Sequence, residues 1–249
     1  VAKAVLTRVP VEAYAHALAP LGIDVVAMEV TRQVATADDA RALLVACRTG
    51  SYAATVVTSQ VAARHLRFAI HHAGAYGVLG PIWTVGEATK RELELDPELR
   101  AEHPEGVTTA AELARAMLAA RSYAGERVLV PRAEEGRTEA IEILRGAGAE
   151  VVDVVAYRTT PLDRDDPEVV AGRVLLATGG AALCCAFAPS QVAALLGIVG
   201  PLAAIRTQFV AIGETTAATL REAGVTPLVA ATPTPEGLAQ AIALHLRPA

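Results

Sequence analysis

Four blocks of this 249-residue chain occur twice, in the same order and at nearly the same separation. Gly22 and Gly148 lie 126 residues apart, and Val25-Val26 matches Val151-Val152 at the same distance. Residues 57–63 (VTSQVAA) resemble residues 188–194 (APSQVAA), which sets Ser59 against Ser190 at 131. Residues 83–89 (WTVGEAT) resemble residues 210–216 (VAIGETT), with Gly86 against Gly213 at 127, and residues 109–114 resemble residues 234–239 at 125. So long a period excludes a solenoid of short repeats and predicts two similar units.

Each copy opens on the same grammar. Residues 4–6 are apolar, Pro10 suits a helix start, residues 11–21 carry the helix, Gly22 stops it, and residues 23–30 are β-rich. In the second copy residues 127–131 are apolar and residues 137–144 helical; Gly146 and Gly148 break that helix, and residues 151–157 are β-rich. Alternating strands and helices predict an α/β fold of mainly parallel sheets. The polar or proline-containing stretches 35–39 and 159–167 each follow the second strand of a copy and are the expected interdomain crossings. The charged stretch 94–105 reads as a solvated surface loop.

Composition narrows the function classes. With 53% hydrophobic and 20% charged residues the chain buries a sizeable core. A formal net charge of −5 argues against a nucleic-acid-binding face. Three cysteines, two of them adjacent (Cys184 and Cys185), cannot form a disulfide framework and have no zinc-ligand spacing. Buried thiols in a reducing compartment follow. Residues 1–10 hold no apolar stretch of signal-peptide type, so a cytoplasmic location is expected. Between Arg173 and Arg206 lie 32 uncharged residues, but Gly179-Gly180, Pro189 and Gly200-Pro201 cut them into pieces too short to cross a bilayer. A buried strand followed by a buried helix is expected there, with no membrane span.

The chemistry concentrates at strand-to-helix junctions. Thr58-Ser59-Gln60 and Gly86-Glu87-Ala88-Thr89 provide two in the first half; Pro189-Ser190-Gln191 and Gly213-Glu214-Thr215-Thr216 provide two in the second. A helix N-terminus offers unpaired N–H groups, hydroxyl residues cap it, and glycine lets a ligand approach the backbone. Taken singly, each is an ordinary cap. Four at matched positions point to a ligand cleft suited to a polyanion. Arg132 and Arg137 flank Glu134 and Glu135 after a strand. They are either carboxylate ligands or surface charges balanced by those glutamates. Tyr157 ends a β-run, either as a proton donor or as a packing residue. His71-His72 reads as a solvated helix end. No Walker loop, GxGxxG or GxSxG motif is present, and no cofactor or metal is implied.

The blocks 211–220 (AIGETTAATL) and 233–238 (PTPEGL) resemble uroporphyrinogen-III synthase. So do Val130-Pro131-Arg132, Gly148, residues 154–159 (VVAYRT), Thr58-Ser59 and residues 85–89 (VGEAT). The match covers nearly the whole chain. The resemblance implies two similar parallel-sheet α/β domains joined by a two-stranded linker. Residues 1–30 with 161–249 would form a discontinuous first domain, residues 33–155 the second, and the linkers would fall near 31–35 and 156–160.

The resemblance also implies a reaction. Hydroxymethylbilane loses its hydroxyl, forms an azafulvenium cation, and closes through a spiro intermediate with inversion of ring D to give uroporphyrinogen III. No cofactor is involved. In the family pattern Tyr157 is the acid for the departing hydroxyl, and Ser59, Thr89 and Thr216 stand at cleft positions. Ala188 stands where the family often has Ser or Thr, and Glu214 where proline is common. No exposed apolar stripe demands a partner, so a monomer is expected, with hydroxymethylbilane synthase the candidate for substrate handover. The alternatives are a non-catalytic tetrapyrrole-binding or regulatory module of the same fold, and a receptor of the periplasmic type.

Overall fold

The computed structural model describes residues 1–246. The chain begins with β1 (Ala2–Leu6), α1 (Glu12–Leu18), β2 (Ile23–Ala27) and β3 (Thr31–Val34). Next come α2 (Ala37–Thr49), β4 (Ala54–Val57), α3 (Gln60–Ala73), β5 (Ile82–Thr84), α4 (Glu87–Leu93), β6 (Ala101–Glu102) and α5 (Ala110–Ala120). The middle βαβ segment is β7 (Arg127–Ala133), α6 (Glu139–Gly146) and β8 (Glu150–Pro161). The last part is α7 (Pro167–Thr178), β9 (Leu183–Ala186), α8 (Pro189–Val199), β10 (Gln208–Ala211), α9 (Glu214–Glu222), β11 (Leu228–Val229) and α10 (Pro235–Leu246).

The chain divides into two compact units, Val1–Arg32 with Thr160–Ala249, and Gln33–Thr159. The first unit's sheet has the order β11-β10-β9-β1-β2 and the second's has the order β3-β8-β7-β4-β5-β6. Apart from β3, the orders correspond strand for strand, and each opening or middle βαβ segment sits beside strands from the other half of the sequence. β1 lies between β2 and β9, and β7 lies between β8 and β4, all paired in parallel.

Two interior strands, β4 (ATVV) and β9 (LCCA), are buried along their whole length, as parallel strands covered on both faces require. The three thiols are free and buried. Burial raises the Cys47 thiol to about 11 and the Cys184 thiol to about 12. The uncharged stretch resolves into the end of α7, then β9 and α8. Among the described residues no helix is long and apolar enough to cross a membrane.

Two helix starts carry reciprocal caps: Thr36 with Asp39 and Thr109 with Glu112 close capping boxes on α2 and α5. Gly22 and Gly148 both have positive φ, +70° and +87°, so the repeated glycine marks a turn that other residues would strain. Two expectations need correction. Residues 11–21 are not one α-helix: α1 ends at Leu18 and a 3-10 turn through Pro20 completes the run. Residues 94–105 are not simply a solvated loop, because β6 extends the sheet beside β5 and Asp96 is buried.

Candidate active site

In sheets of this order, the connections after two adjacent central strands leave to opposite faces, and a crevice opens at their carboxyl ends. In the second unit that point lies between β7 and β4. A cavity of about 260 Å³ sits there, lined by Thr58, Ser59, Val85, Thr108, Thr109, Arg132, Gly136, Arg137 and Tyr157, among others.

Ser59 is the N-cap of α3. Its backbone is extended, and its Oγ accepts the Ala62 N–H at 3.1 Å. The same Oγ lies 3.2 Å from the Tyr157 hydroxyl. Tyr157 is 6% exposed, so its phenol is desolvated apart from the cavity face. What aims it is a bulge in β8. Arg132 pairs with Val155, but the next residue, Ala133, pairs with Tyr157, leaving Ala156 as an extra residue. Without the bulge Ala156 would stand opposite Ala133, and Tyr157 would turn to the other face. The Glu134 N–H closes the irregular pair on the Tyr157 carbonyl at 2.9 Å.

Two arginines hold this bulge. Arg132 forks onto Asp153 at 2.7 and 3.0 Å, and its Nη1 donates to the Ala133 and Glu134 carbonyls at 2.8 and 2.9 Å. Its balancing charge is Asp153 on β8, not Glu134 or Glu135, and four of its five N–H donors are spent on the protein. Arg158 forks onto the buried Asp39 at 2.8 and 2.9 Å and also pairs with Glu134. The Arg158 guanidinium, with Thr36, holds the Asp39 carboxyl down at about 2 against the opposing effect of burial. Arg137 is different: it lines the cavity, is exposed, and makes no ion pair among the described residues.

The remaining candidates fall in two groups. In the second unit Thr58 and Ser59 share the cavity, Gln60 is exposed at the first turn of α3, and Thr89 is buried in α4. Gly86, at φ +81°, precedes α4, and its N–H donates to His103 Nδ1 at 3.2 Å. In the first unit Gly213 is the N-cap of α9, Thr215 is exposed and Thr216 buried. Ser190 is not the counterpart of Ser59 that the matched SQVAA letters suggest. The N-cap of α8 is Ala188, and Ser190 lies in the first turn after Pro189. His71 and His72 end α3, where His71 Nδ1 meets the Tyr76 hydroxyl at 3.2 Å. Among the described residues no group of three or more His, Cys, Asp or Glu could hold a metal ion.

Three residues of this site were not singled out from the sequence. Asp39 was visible only as the acidic end of a T-x-x-D capping pattern, and Arg158 only as the neighbour of Tyr157. His65 stacks on Tyr157 with ring centroids 6.1 Å apart and planes at 21°. Burial first, and Arg64 second, lower the His65 pKa, which favours the neutral ring beside the phenol.

Comparisons with known proteins bear on the family and the fold. Residues 12–240 match the model of a protein family described as uroporphyrinogen-III synthase HemD. Among solved structures, the chain is similar to uroporphyrinogen-III synthetase from Helicobacter pylori, at 17% identity and a TM-score of 0.63, covering 99% of this chain and 100% of that one. It is also similar to a mutant uroporphyrinogen III synthase from Thermus thermophilus, at 20% identity and a TM-score of 0.60, with 99% of both chains covered. These likenesses establish the shared fold. No curated protein matches the chain.

Proposed function

The chain belongs to the uroporphyrinogen-III synthase family, and on that premise we propose that Tyr157 is its proton donor and the second unit's cavity part of its substrate site. The reaction is the cyclisation of hydroxymethylbilane to uroporphyrinogen III, with inversion of ring D and loss of water, in tetrapyrrole biosynthesis. The enzyme is a cyclising lyase.

The observation that carries the assignment of roles is the Ser59–Tyr157 contact inside a cavity at the switch point. Ser59 Oγ already accepts from Ala62, so its own hydrogen is free to donate to the phenol oxygen. The phenol hydrogen is then left for the ligand. Transfer of that proton to the departing hydroxyl breaks the C–O bond, releases water and leaves the azafulvenium cation beside a phenolate. Ring closure and spiro rearrangement follow, and the proton lost from the pyrrole carbon on rearomatisation restores the phenol. Arg137 offers an unspent guanidinium for a substrate carboxylate. Thr58, Gln60, Gly86, Thr89, Ser190, Gly213, Thr215 and Thr216 complete the proposed binding set; Arg132 shapes the loop rather than contacting substrate.

Hydroxymethylbilane also closes spontaneously, to the wrong isomer. The enzyme's larger task is therefore to hold a productive conformation, with protonation added. We place the reaction in the cytoplasm, in a monomer that receives its labile substrate from hydroxymethylbilane synthase; sedimentation with and without that enzyme tests the monomer and the handover. The deciding assay supplies freshly made hydroxymethylbilane and resolves the isomers. Isomer III at a rate above the spontaneous one is expected, and isomer I alone would refute the activity.

A further inference from the structure

Arg8 and Arg132 occupy the same place in two sheets of the same order. Ala4 pairs with Leu183 across β1 and β9, and Val128 pairs with Ala54 across β7 and β4. Each arginine lies four residues further on, beside the switch point of its own sheet. Their surroundings differ. Arg132 is forked onto Asp153 and two loop carbonyls. Arg8 meets no carboxylate among the described residues. Its guanidinium carbon lies 5.3 Å from the Tyr14 ring centroid and 5.1 Å from that of Phe187, and those rings pack edge to face at 4.9 Å. Among the described residues its one hydrogen bond, from Nη1 to the Tyr14 hydroxyl, is long at 3.4 Å, and its buried Nε–H has no partner.

A half-buried guanidinium braced by two aromatic rings with most of its donors unspent is poorly satisfied by the protein alone. Its planar fork matches a carboxylate, and the rings limit the side-chain freedom that binding would cost. We propose that Arg8 binds a carboxylate of the tetrapyrrole, giving the first unit a binding site of its own at its switch point. This rests on the reading that the chain takes a polycarboxylate tetrapyrrole as ligand. It assigns the two arginines opposite duties: Arg132 holds the protein and Arg8 the ligand.

The test is titration of Arg8→Met and Arg8→Lys with uroporphyrinogen III kept reduced, together with KM and kcat on fresh hydroxymethylbilane. Arg8→Met should weaken product binding about tenfold or more, with the loss falling on KM and narrowing as salt is raised. Arg8→Lys, which keeps charge and stem but not the fork, should recover part of it. Product affinity equal to wild type in either folded variant overturns the proposal, as does a loss confined to kcat. If Arg8→Met does not fold, Arg8→Lys decides. The wild-type control separates the two readings: normal isomer III formation with an unaffected Arg8 variant sinks only the arginine. A wild type that binds no product and gives isomer I alone sinks both.

Discussion

The two units build the same crevice and use it differently. In the second unit the space between the ends of β7 and β4 is a cavity, with the Ser59 and Tyr157 hydroxyls in contact on its wall. In the first unit the ends of β1 and β9 are bridged. The Thr7 hydroxyl lies 2.8 Å from Gln191 Oε1, which also accepts the Phe187 N–H at 3.0 Å, and Thr7 bonds the Cys185 carbonyl. The β1–β2 ladder is regular from Ala2 to Leu6, whereas β7–β8 carries the bulge. One sheet order thus supports both a polar bridge and a cavity: Pro131 stands where Thr7 does and has no hydroxyl to bridge with, and β8 adds an extra residue with the ion pairs that hold it.

The largest test of that comparison is removal of the pair the first unit lacks. Asp39 is 4% exposed and serves both Arg158 and the α2 cap, so Asp39→Ala should cost about 3 kcal/mol, measured by urea unfolding. The acid side has a defined sign. The carboxyl titrates at about 2 in the folded chain against 3.8 for the free group, so its stabilisation is complete above about 4 and is lost as pH falls towards 2. Asp96 and Glu112 are also lowered, so the wild type will lose more than this one contribution. The diagnostic is the difference between wild type and Asp39→Asn, which should shrink across that window. A constant difference would mean that Arg158 does not hold the charge.

Next in size is the phenol. Tyr157→Phe should slow isomer III formation about a hundredfold while leaving product affinity nearly unchanged. Full activity would remove Tyr157 from the chemistry and make its cavity a binding surface only.

How much of this was legible follows residue type. Gly22 and Gly148 announced their turns because only glycine adopts that backbone without strain. β9 showed in an uncharged apolar stretch because both its faces are covered. β6 is two residues long and carries no period to read. The Asp39–Arg158 pair joins residues 119 apart, and no local pattern links them. The bulge has no signature in letters at all, since Val155, Ala156 and Tyr157 would suit an unbroken strand equally well. The SQVAA match misled by two positions, because Pro189 takes the first helical place in α8 and moves the cap back to Ala188.

Ser59→Ala is the smaller companion of the phenol variant. It deletes the α3 cap and the partner of Tyr157 together, and should cost about 1 kcal/mol of stability with a rate loss below that of Tyr157→Phe. A larger rate loss than Tyr157→Phe would mean that the serine, not the phenol, meets the substrate.

The smallest effect should come from making the first unit resemble the second. Ala188 has φ −155° and ψ 154°, and Ser59 has φ −148° and ψ 151°, so the backbone at 188 already holds the shape of a serine cap. Ala188→Ser would place a hydroxyl where it shares the Gln191 N–H, which already donates to the Ala188 carbonyl at 3.1 Å. The Gln191 side chain already reaches back to the Phe187 N–H, so the substitution would complete a reciprocal arrangement close to a capping box. A gain of about 0.5–1 kcal/mol is expected, read as a higher urea midpoint at unchanged slope. Turnover should stay as in the wild type, because among the described residues nothing in the first unit corresponds to the Tyr157 phenol for the new hydroxyl to orient. A rise in turnover would show that the α8 junction meets the reacting groups after all, and the division of labour between the two crevices would have to be redrawn.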